Sequence, residues 1–468
     1  LDASEEAPLM DGIPSRNPNQ EYEDESKAHP EAGFFPRNPR QPQIQGHSPG
    51  PHSKPMLLNL LQTQIRPGAP RGKRQEKMSM DLAKSALDVA TKAEQDIAIA
   101  TPGAAESLPA KAVERKTKNF YEYSLPELEE LLQSLGKEKF RAKQVFKWVY
   151  EKRVENYDEM SNVAKTFRAE LPEIFHFELP RTVAELKSKD GTRKWLFEIG
   201  ASETDKMTIE TVLIPNKDRL TLCVSSEVGC NIACRFCFTG KQKLKRRLTA
   251  GQIVGQFLHA NDSLAKEGLR VTNIVFMGMG EPLDNPEEVF KSIEILHDQN
   301  GIGLSRKKIT VSTSGIVPLM PLIAKAGVRL AVSLNAPNNE IRSFVMPINK
   351  KWDVWQLLDM CKQYYAETGD RITFEYVLLK GVTDRIEQAK ELWNLVRDIP
   401  CKINLIPFNE HPGSGFERPE PQQVIAFQNE MIRLGAHVLL RKTMGRDIFA
   451  ACGQLTSKYE GRPDTMAT

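Results

Sequence analysis

The chain has 468 residues, 64 Lys plus Arg against 61 Asp plus Glu, a formal net charge of +3 and 40% hydrophobic residues, which suits a soluble protein of two or three modules. No run approaches the roughly 20 apolar residues that span a bilayer, which excludes a pure membrane protein. The first 30 residues carry Glu5, Glu6, Asp11, Glu21, Glu23, Asp24 and Glu25 instead of a basic-then-apolar leader, and seven cysteines, an odd number, argue against a disulfide framework, so the expected compartment is the cytosol.

Residues 1–115 hold 14 of the 30 prolines, no cysteine and no tryptophan, and read as a disordered extension in which only 79–98 has helical character. The chain starts at Leu1, and Met56, Met78 and Met80 are alternative starts. A helical accessory domain is expected over 116–180. Ser124-Leu-Pro-Glu127 is a capping-box pattern ahead of Leu128, Leu131, Leu132 and Leu135, with Gly136 as C-cap. The next helix, Lys137 to Tyr150, sets Phe140, Val145, Phe146, Trp148 and Val149 among Lys137, Lys139, Arg141, Lys143 and Lys147, which is either a solvated basic face or an RNA-contacting one. Residues 181–216 alternate around the turn Lys189-Asp-Gly-Thr192 and predict a small antiparallel section.

From 217 to 456 the pattern becomes strand, loop, helix, repeated, with strands at 219–225, 272–277, 309–313, 328–334, 371–379, 402–406 and 437–441. Helix starts are signalled by Thr249-Ala-Gly-Gln252 and Asn285-Pro-Glu-Glu288. Repeated βα crossovers imply a parallel α/β sheet, open or partly closed into a barrel, with its chemistry at the C-terminal strand ends. Residues 457–468 read as a flexible tail.

Just after the first of these strands stands Cys230-Asn-Ile-Ala-Cys234-Arg-Phe-Cys237. Structural zinc wants a fourth ligand nearby, and the next His and Cys are His259 and Cys361. Three thiolates instead suit a [4Fe–4S] cluster with one iron left open. The other strand ends are polar: Gly278-Met-Gly-Glu-Pro282, Ser312-Thr-Ser314-Gly, Ser333-Leu-Asn335 and Pro407-Phe-Asn409. Each alone is an ordinary turn, but together they ring one mouth, where glycines admit a ligand to the backbone and Glu281 can hold an ammonium or ribose hydroxyls. Basic residues are expected to flank this mouth: Arg235, Lys241, Lys243, Lys245, Arg246 and Arg247, with Arg306, Lys307 and Lys308. They are either a solvated loop or an RNA contact.

The cysteine triplet, with Phe236 before its last member and Gly-Glu-Pro at the second strand end, resembles the radical S-adenosylmethionine (SAM) superfamily. More narrowly, Ile209-Glu-Thr-Val-Leu-Ile-Pro215, Cys223-Val-Ser-Ser-Glu-Val-Gly-Cys-Asn231, Met279-Gly-Glu-Pro-Leu283, Ser333-Leu-Asn-Ala-Pro-Asn338 and Gly445-Arg-Asp-Ile-Phe-Ala-Ala-Cys-Gly-Gln454 resemble the RNA adenine-C2 methyltransferase family, RlmN, over about 120–456. The resemblance implies a partial (βα)6 radical SAM barrel. It implies Cys230, Cys234 and Cys237 as ligands of one [4Fe–4S] cluster, and Gly280, Glu281, Ser312, Ser333, Leu334, Asn335 and Asn409 as the SAM site. Asn335 stands where many relatives carry His.

The family scheme makes Cys452 the methyl acceptor, Cys223 the thiol that later closes on it and Glu210 the proton acceptor. Adenine C2 has no lone pair with which to attack a methyl cation equivalent, so a radical has to add. One SAM methylates Cys452; a second is cleaved reductively, and its 5′-deoxyadenosyl radical takes a hydrogen from that methyl. The carbon radical adds to C2, loss of an electron and a proton restores aromaticity, and Cys223 displaces the product by forming a disulfide with Cys452. The implied partners are 23S rRNA, tRNA at the adenosine beside the anticodon, and a flavodoxin-like electron donor. Two alternatives stay open here: adenosine-C8 methylation, and a non-catalytic iron–sulfur protein that binds RNA. Cys361 and Cys401 read as buried packing thiols.

Overall fold

The computed structural model describes residues 117–200 and 207–456. The expected extension, its helix at 79–98 and the expected tail lie outside them. Three helices come first: α1 (Leu125–Ser134), α2 (Lys139–Tyr150) and α3 (Lys165–Ile174). The capping box at α1 forms, with the Ser124 N–H donating to Glu127 Oε2 at 2.9 Å. Helix α2 turns Ala142, Val145, Phe146, Val149 and Tyr150 inward, with Phe146 and Tyr150 against Phe120, which itself packs on Phe175, and leaves Lys139, Lys143 and Lys147 on its outer face at a spacing of one turn.

Ten strands then form one sheet whose spatial order follows the chain. They are β1 (Arg181–Lys187), β2 (Arg193–Glu198), β3 (Thr208–Asn216), β4 (Arg219–Cys223), β5 (Asn273–Phe276), β6 (Ile309–Thr313), β7 (Arg329–Ser333), β8 (Ile372–Leu378), β9 (Cys401–Pro407) and β10 (Val438–Leu440). From β1 to β4 the pairing is antiparallel, and from β4 to β10 it is parallel. The antiparallel section is therefore continuous with the parallel sheet, because β3 and β4 are joined by a tight turn in register, Val212 against Cys223.

Six helical crossovers link the seven parallel strands: α4 (Ala250–Ala265), α5 (Pro286–His297), α6 (Pro321–Lys325), then α7 (Asn339–Val345) with α8 (Val354–Thr368), α9 (Ile386–Val396) and α10 (Pro421–Arg433). The sheet has two free edges, β1 and β10, so the barrel is partial. Thr249 caps α4 in a capping box with Gln252. The Asn285 signal works differently. The helix starts at Pro286, but the Asn285 side chain donates to Ser226 O (3.1 Å) and Leu248 O (2.8 Å), because those loop carbonyls are buried and need a donor more than the helix end does.

Polar contacts at both ends of α4 help seat the helical domain on the sheet domain. Glu122 accepts from Thr249 Oγ1 (2.7 Å) and Gly251 N (3.1 Å) at the start of α4, and Arg153 pairs with Asp262 at 2.8 Å near its end. The N-terminal domain thus supplies the anion that the α4 N-terminus favours.

Candidate active site

One pocket opens at the C-terminal ends of β5 to β9, and its wall brings together most of the residues singled out in the sequence. Cys230, Cys234, Cys237, Gly280, Glu281, Ser312, Ser333, Asn335, Asn409 and Cys452 all line it. Parallel strands put every one of these turns on the same side of the sheet, so residues up to 222 positions apart meet there.

The three cysteines sit on the loop between β4 and α4, as free thiols. Gly240 closes this loop: a Cβ there would lie 2.8 Å from Cys234 O and 3.0 Å from Cys234 N, so only glycine permits the turn. The loop is docked on the C-terminal segment by Phe238 N to Gly453 O (2.8 Å) and Thr239 Oγ1 to Leu455 O (2.7 Å). Among the described residues, no three Cys, His, Asp or Glu side chains converge closely enough to bind a single metal ion. A cluster takes one thiolate per iron and needs no such convergence, so three separated thiols on one pocket wall fit it. Burial pushes all three thiols up, and backbone N–H groups of Gly240 and Thr239 aimed at Cys237 partly offset this. Such thiols become thiolates only when a cation binds them.

Opposite stand the polar strand ends. Gly280 has φ +99°, and a Cβ there would lie 2.6 Å from the Glu227 Cβ. The Glu281 carboxylate is buried, which raises its pKa, while Oε2 accepts from Ser314 N (2.8 Å) and Oε1 from Leu283 N (3.3 Å). Asn335 occupies the left-handed region at φ 55°, which Asn tolerates, and its Oδ1 accepts from Val377 N at 3.0 Å. Asn409 Nδ2 donates to Cys452 O at 3.1 Å and so fixes the exposed cysteine against the pocket.

Three expected residues are not in this wall. Leu334 is fully buried in the core, and its N–H and C=O are taken by Glu375 O (3.1 Å) and Arg342 Nε (3.1 Å), so it shapes the turn from behind. Cys223 is buried at the end of β4, within electrostatic reach of Cys452, and burial holds its thiol up at about 12. Glu210 is buried on β3, where its Oε1 pairs with Lys194 at 2.8 Å and its Oε2 accepts from Thr456 N at 3.0 Å. Lys194 Nζ also donates to Phe449 O at 3.1 Å, so the Glu210–Lys194 pair clasps both ends of the segment that carries Cys452.

The basic rim needs one correction. Arg306, Lys307 and Lys308 precede β6 and lie at the N-terminal edge of the parallel sheet, opposite the pocket, where Arg306 pairs with Glu294 (2.8 Å) and Lys307 with Asp370 (2.5 Å). Lys241, Lys243, Lys245 and Arg247 do follow the cysteine loop and are exposed. Sequence reasoning missed Glu375 and Arg441 in the pocket wall. Glu375 carried a legible signal, an acid in the middle of the apolar strand Ile372–Leu378; it is buried, its pKa is raised by that burial, and Asn404 Nδ2 holds its Oε1 at 2.8 Å.

The comparisons agree with this geometry. Residues 118–177 match the model of the ribosomal RNA large subunit methyltransferase N-terminal domain, and residues 224–392 match that of the radical SAM superfamily. The chain is 62% identical over 357 residues to a dual-specificity RNA methyltransferase RlmN of Bdellovibrio bacteriovorus, covering 76% of this chain and 88% of the relative. It is 47% identical to an RlmN of Rhodospirillum rubrum, over 72% of this chain and 80% of that one. A crystal structure of a radical SAM methyltransferase from Sphaerobacter thermophilus superposes with a TM-score of 0.68 at 41% identity, covering 73% of this chain and 99% of that chain. No helix among the described residues is long and apolar enough to cross a membrane. With the cysteine triplet, the glycine turn and Cys452 on one pocket, and relatives of this identity and coverage, the chain belongs to the RlmN family of radical SAM RNA methyltransferases.

Proposed function

We propose that this chain methylates C2 of adenosine in 23S rRNA and in tRNA, at the adenosine 3′ to the anticodon, passing the methyl group through Cys452. The observation that carries the reading is that Cys452 shares one pocket wall with Cys230, Cys234 and Cys237 while Cys223 lies buried within electrostatic reach of it. When bound, the [4Fe–4S] cluster supplies the electron that cleaves SAM.

The chain's own residues do the rest. Cys230, Cys234 and Cys237 hold the cluster, and Gly280, Glu281, Ser312, Ser333, Asn335 and Asn409 orient SAM, with Leu334 setting the turn beneath. Cys452 accepts the methyl group and presents it to the target base. Cys223, once its buried thiol has lost its proton, forms the S–S bond to Cys452 as the C–S bond to the product breaks, and the released carbon keeps that electron pair and takes up a proton to become the methyl group. Glu210 accepts the proton from C2. Its buried carboxyl, raised by desolvation and drawn back by Lys194, suits a base, and the Cys452 segment has to shift before Glu210 reaches substrate. An RNA base inside a folded stem has to be flipped out, and the exposed lysines of α2 and of the loop after Cys237 supply cations for the flanking phosphates. A flavodoxin-like protein is the proposed electron donor and the cytoplasm the proposed compartment.

Anaerobic reaction with SAM bearing a fully deuterated methyl, followed by nucleoside mass spectrometry, tests this. 2-Methyladenosine retaining two of the three deuteriums is expected. A methyl retaining all three, 8-methyladenosine, or methylation that persists in Cys452→Ala would each overturn it.

A further inference from the structure

Arg342, on α7, is fully buried, and its guanidinium donates only to neutral oxygens: Ser314 O at 2.6 Å, Asn349 Oδ1 at 2.9 Å, Leu334 O at 3.1 Å and Ser333 O at 3.2 Å. Among the described residues no carboxylate forms an ion pair with it. Burial lowers its pKa only to about 10, so it stays charged at neutral pH. An unpaired buried cation is costly, and it persists where an anion arrives to balance it.

The titratable side chains that act on it are Cys234 and Cys361. Cys361 is a fully buried thiol on α8, held protonated by desolvation, and supplies no charge. Cys234 differs, because a ligating cysteine is a thiolate. The cysteine loop and α7 are also physically joined. Arg235 N donates to Val345 O at 3.0 Å, the Arg235 guanidinium stacks on Phe344 at 4.6 Å, and Cys234 packs against the cluster of Val345 and Met346. Two of the carbonyls that Arg342 grips belong to Ser314 and Ser333, which line the pocket from the other side.

We propose that Arg342 is a positioning residue that ties the β6 and β7 turns to α7 and serves as the buried counter-cation of the iron–sulfur site. Three thiolates on a doubly charged cluster leave a net negative charge, and one-electron reduction adds another. A fixed cation within electrostatic reach of Cys234 stabilises the reduced form more than the oxidised one, so it raises the reduction potential and eases electron uptake.

This inference rests on the proposed cluster site. The test is an EPR-monitored redox titration of anaerobically reconstituted wild-type protein and three variants, with iron content measured on each. Arg342→Gln removes the charge. Asn349→Asp keeps the arginine and places a carboxylate at its NH1. Arg342→Lys keeps the charge but loses the fork. At the wild-type midpoint, the reduced-to-oxidised ratio is expected to fall about tenfold in Arg342→Gln and Asn349→Asp, ~59 mV for a one-electron couple, and to stay within about threefold in Arg342→Lys. Wild-type potentials in the two neutralised variants would overturn the inference, as would an equal shift in Arg342→Lys, which would assign the effect to lost hydrogen bonds. If Arg342→Gln takes up no iron, Asn349→Asp decides alone. Wild-type protein that binds no cluster would instead sink the cluster assignment itself.

Discussion

Two cysteines that the mechanism joins sit in opposite environments. Cys452 is exposed, whereas Cys223 is buried and its thiol is held at about 12. Across neutral pH Cys223 is therefore protonated and shielded. In cluster-loaded protein at pH 7.5, iodoacetamide should modify Cys452 at least ~100-fold faster than Cys223, read by peptide mass spectrometry; comparable rates would contradict the assignment. Gly280 is a second single-residue test. With φ +99° and a Cβ 2.6 Å from Glu227, Gly280→Ala strains the backbone and clashes at once, so we expect a loss of ~2 kcal/mol or more in urea unfolding. The two cysteines were legible because each lies in a long motif; Arg342 was not, because its neutral partners come from three separate turns.

At the scale of elements, the segment from Phe449 to Thr456 is held from two sides. The Glu210–Lys194 pair clasps its ends, and the β1–β2 turn grips its approach, Asp190 Oδ2 accepting from Gly445 N (2.8 Å) and Ser188 Oγ donating to Asp447 Oδ1 (2.6 Å). Lys194→Met strands a buried carboxylate and should cost about 3–5 kcal/mol, with faster hydrogen exchange over 449–456; pairing it with Glu210→Gln should recover part of that loss. The turn contact has a pH signature. Burial opposes ionisation of Asp190, but hydrogen bonds from Gly445, Thr192 and Ser188 win and hold it at about 2. A depressed carboxylate stabilises above its unfolded value and loses that contribution as pH falls from near 4 to about 2, so exchange at Gly445 should accelerate in that window in wild type and be already fast at pH 6 in Asp190→Asn. The turn itself was readable from Lys189-Asp-Gly-Thr192, but its docking partner lies more than 250 residues away and left no local trace.

Across the molecule, the helical domain sits at the start of α4, the helix that follows the cysteine loop. Its α2 carries Lys139 and Lys143 on an exposed stripe with exposed Phe140, Arg141 lying 4.6 Å over that ring. If this face meets RNA, Lys139→Ala/Lys143→Ala should flatten the slope of log K against log salt by about 2 for a duplex-like site, with iron content unchanged. An unchanged slope would return the stripe to plain solvation. The same logic removes Arg306, Lys307 and Lys308 from the RNA surface, since all three lie at the opposite end of the strands and Arg306 and Lys307 are engaged with acids.

The seven parallel strands, the capped starts of α1 and α4 and the cysteine triplet were fixed by local chemistry: hydrophobic period, short polar caps and ligand spacing act within a few residues, so the chain's order of letters suffices to read them. Tertiary structure alone decided which turns face each other. It merged the antiparallel section with the barrel, sent one basic cluster to the far edge, set Glu210 outside the pocket wall in a clasp with Lys194, and buried Arg342 against the carbonyls of the β6 and β7 turns. These depend on long-range packing, in which a charge becomes buried or exposed according to strands hundreds of residues distant, and no local pattern encodes that outcome.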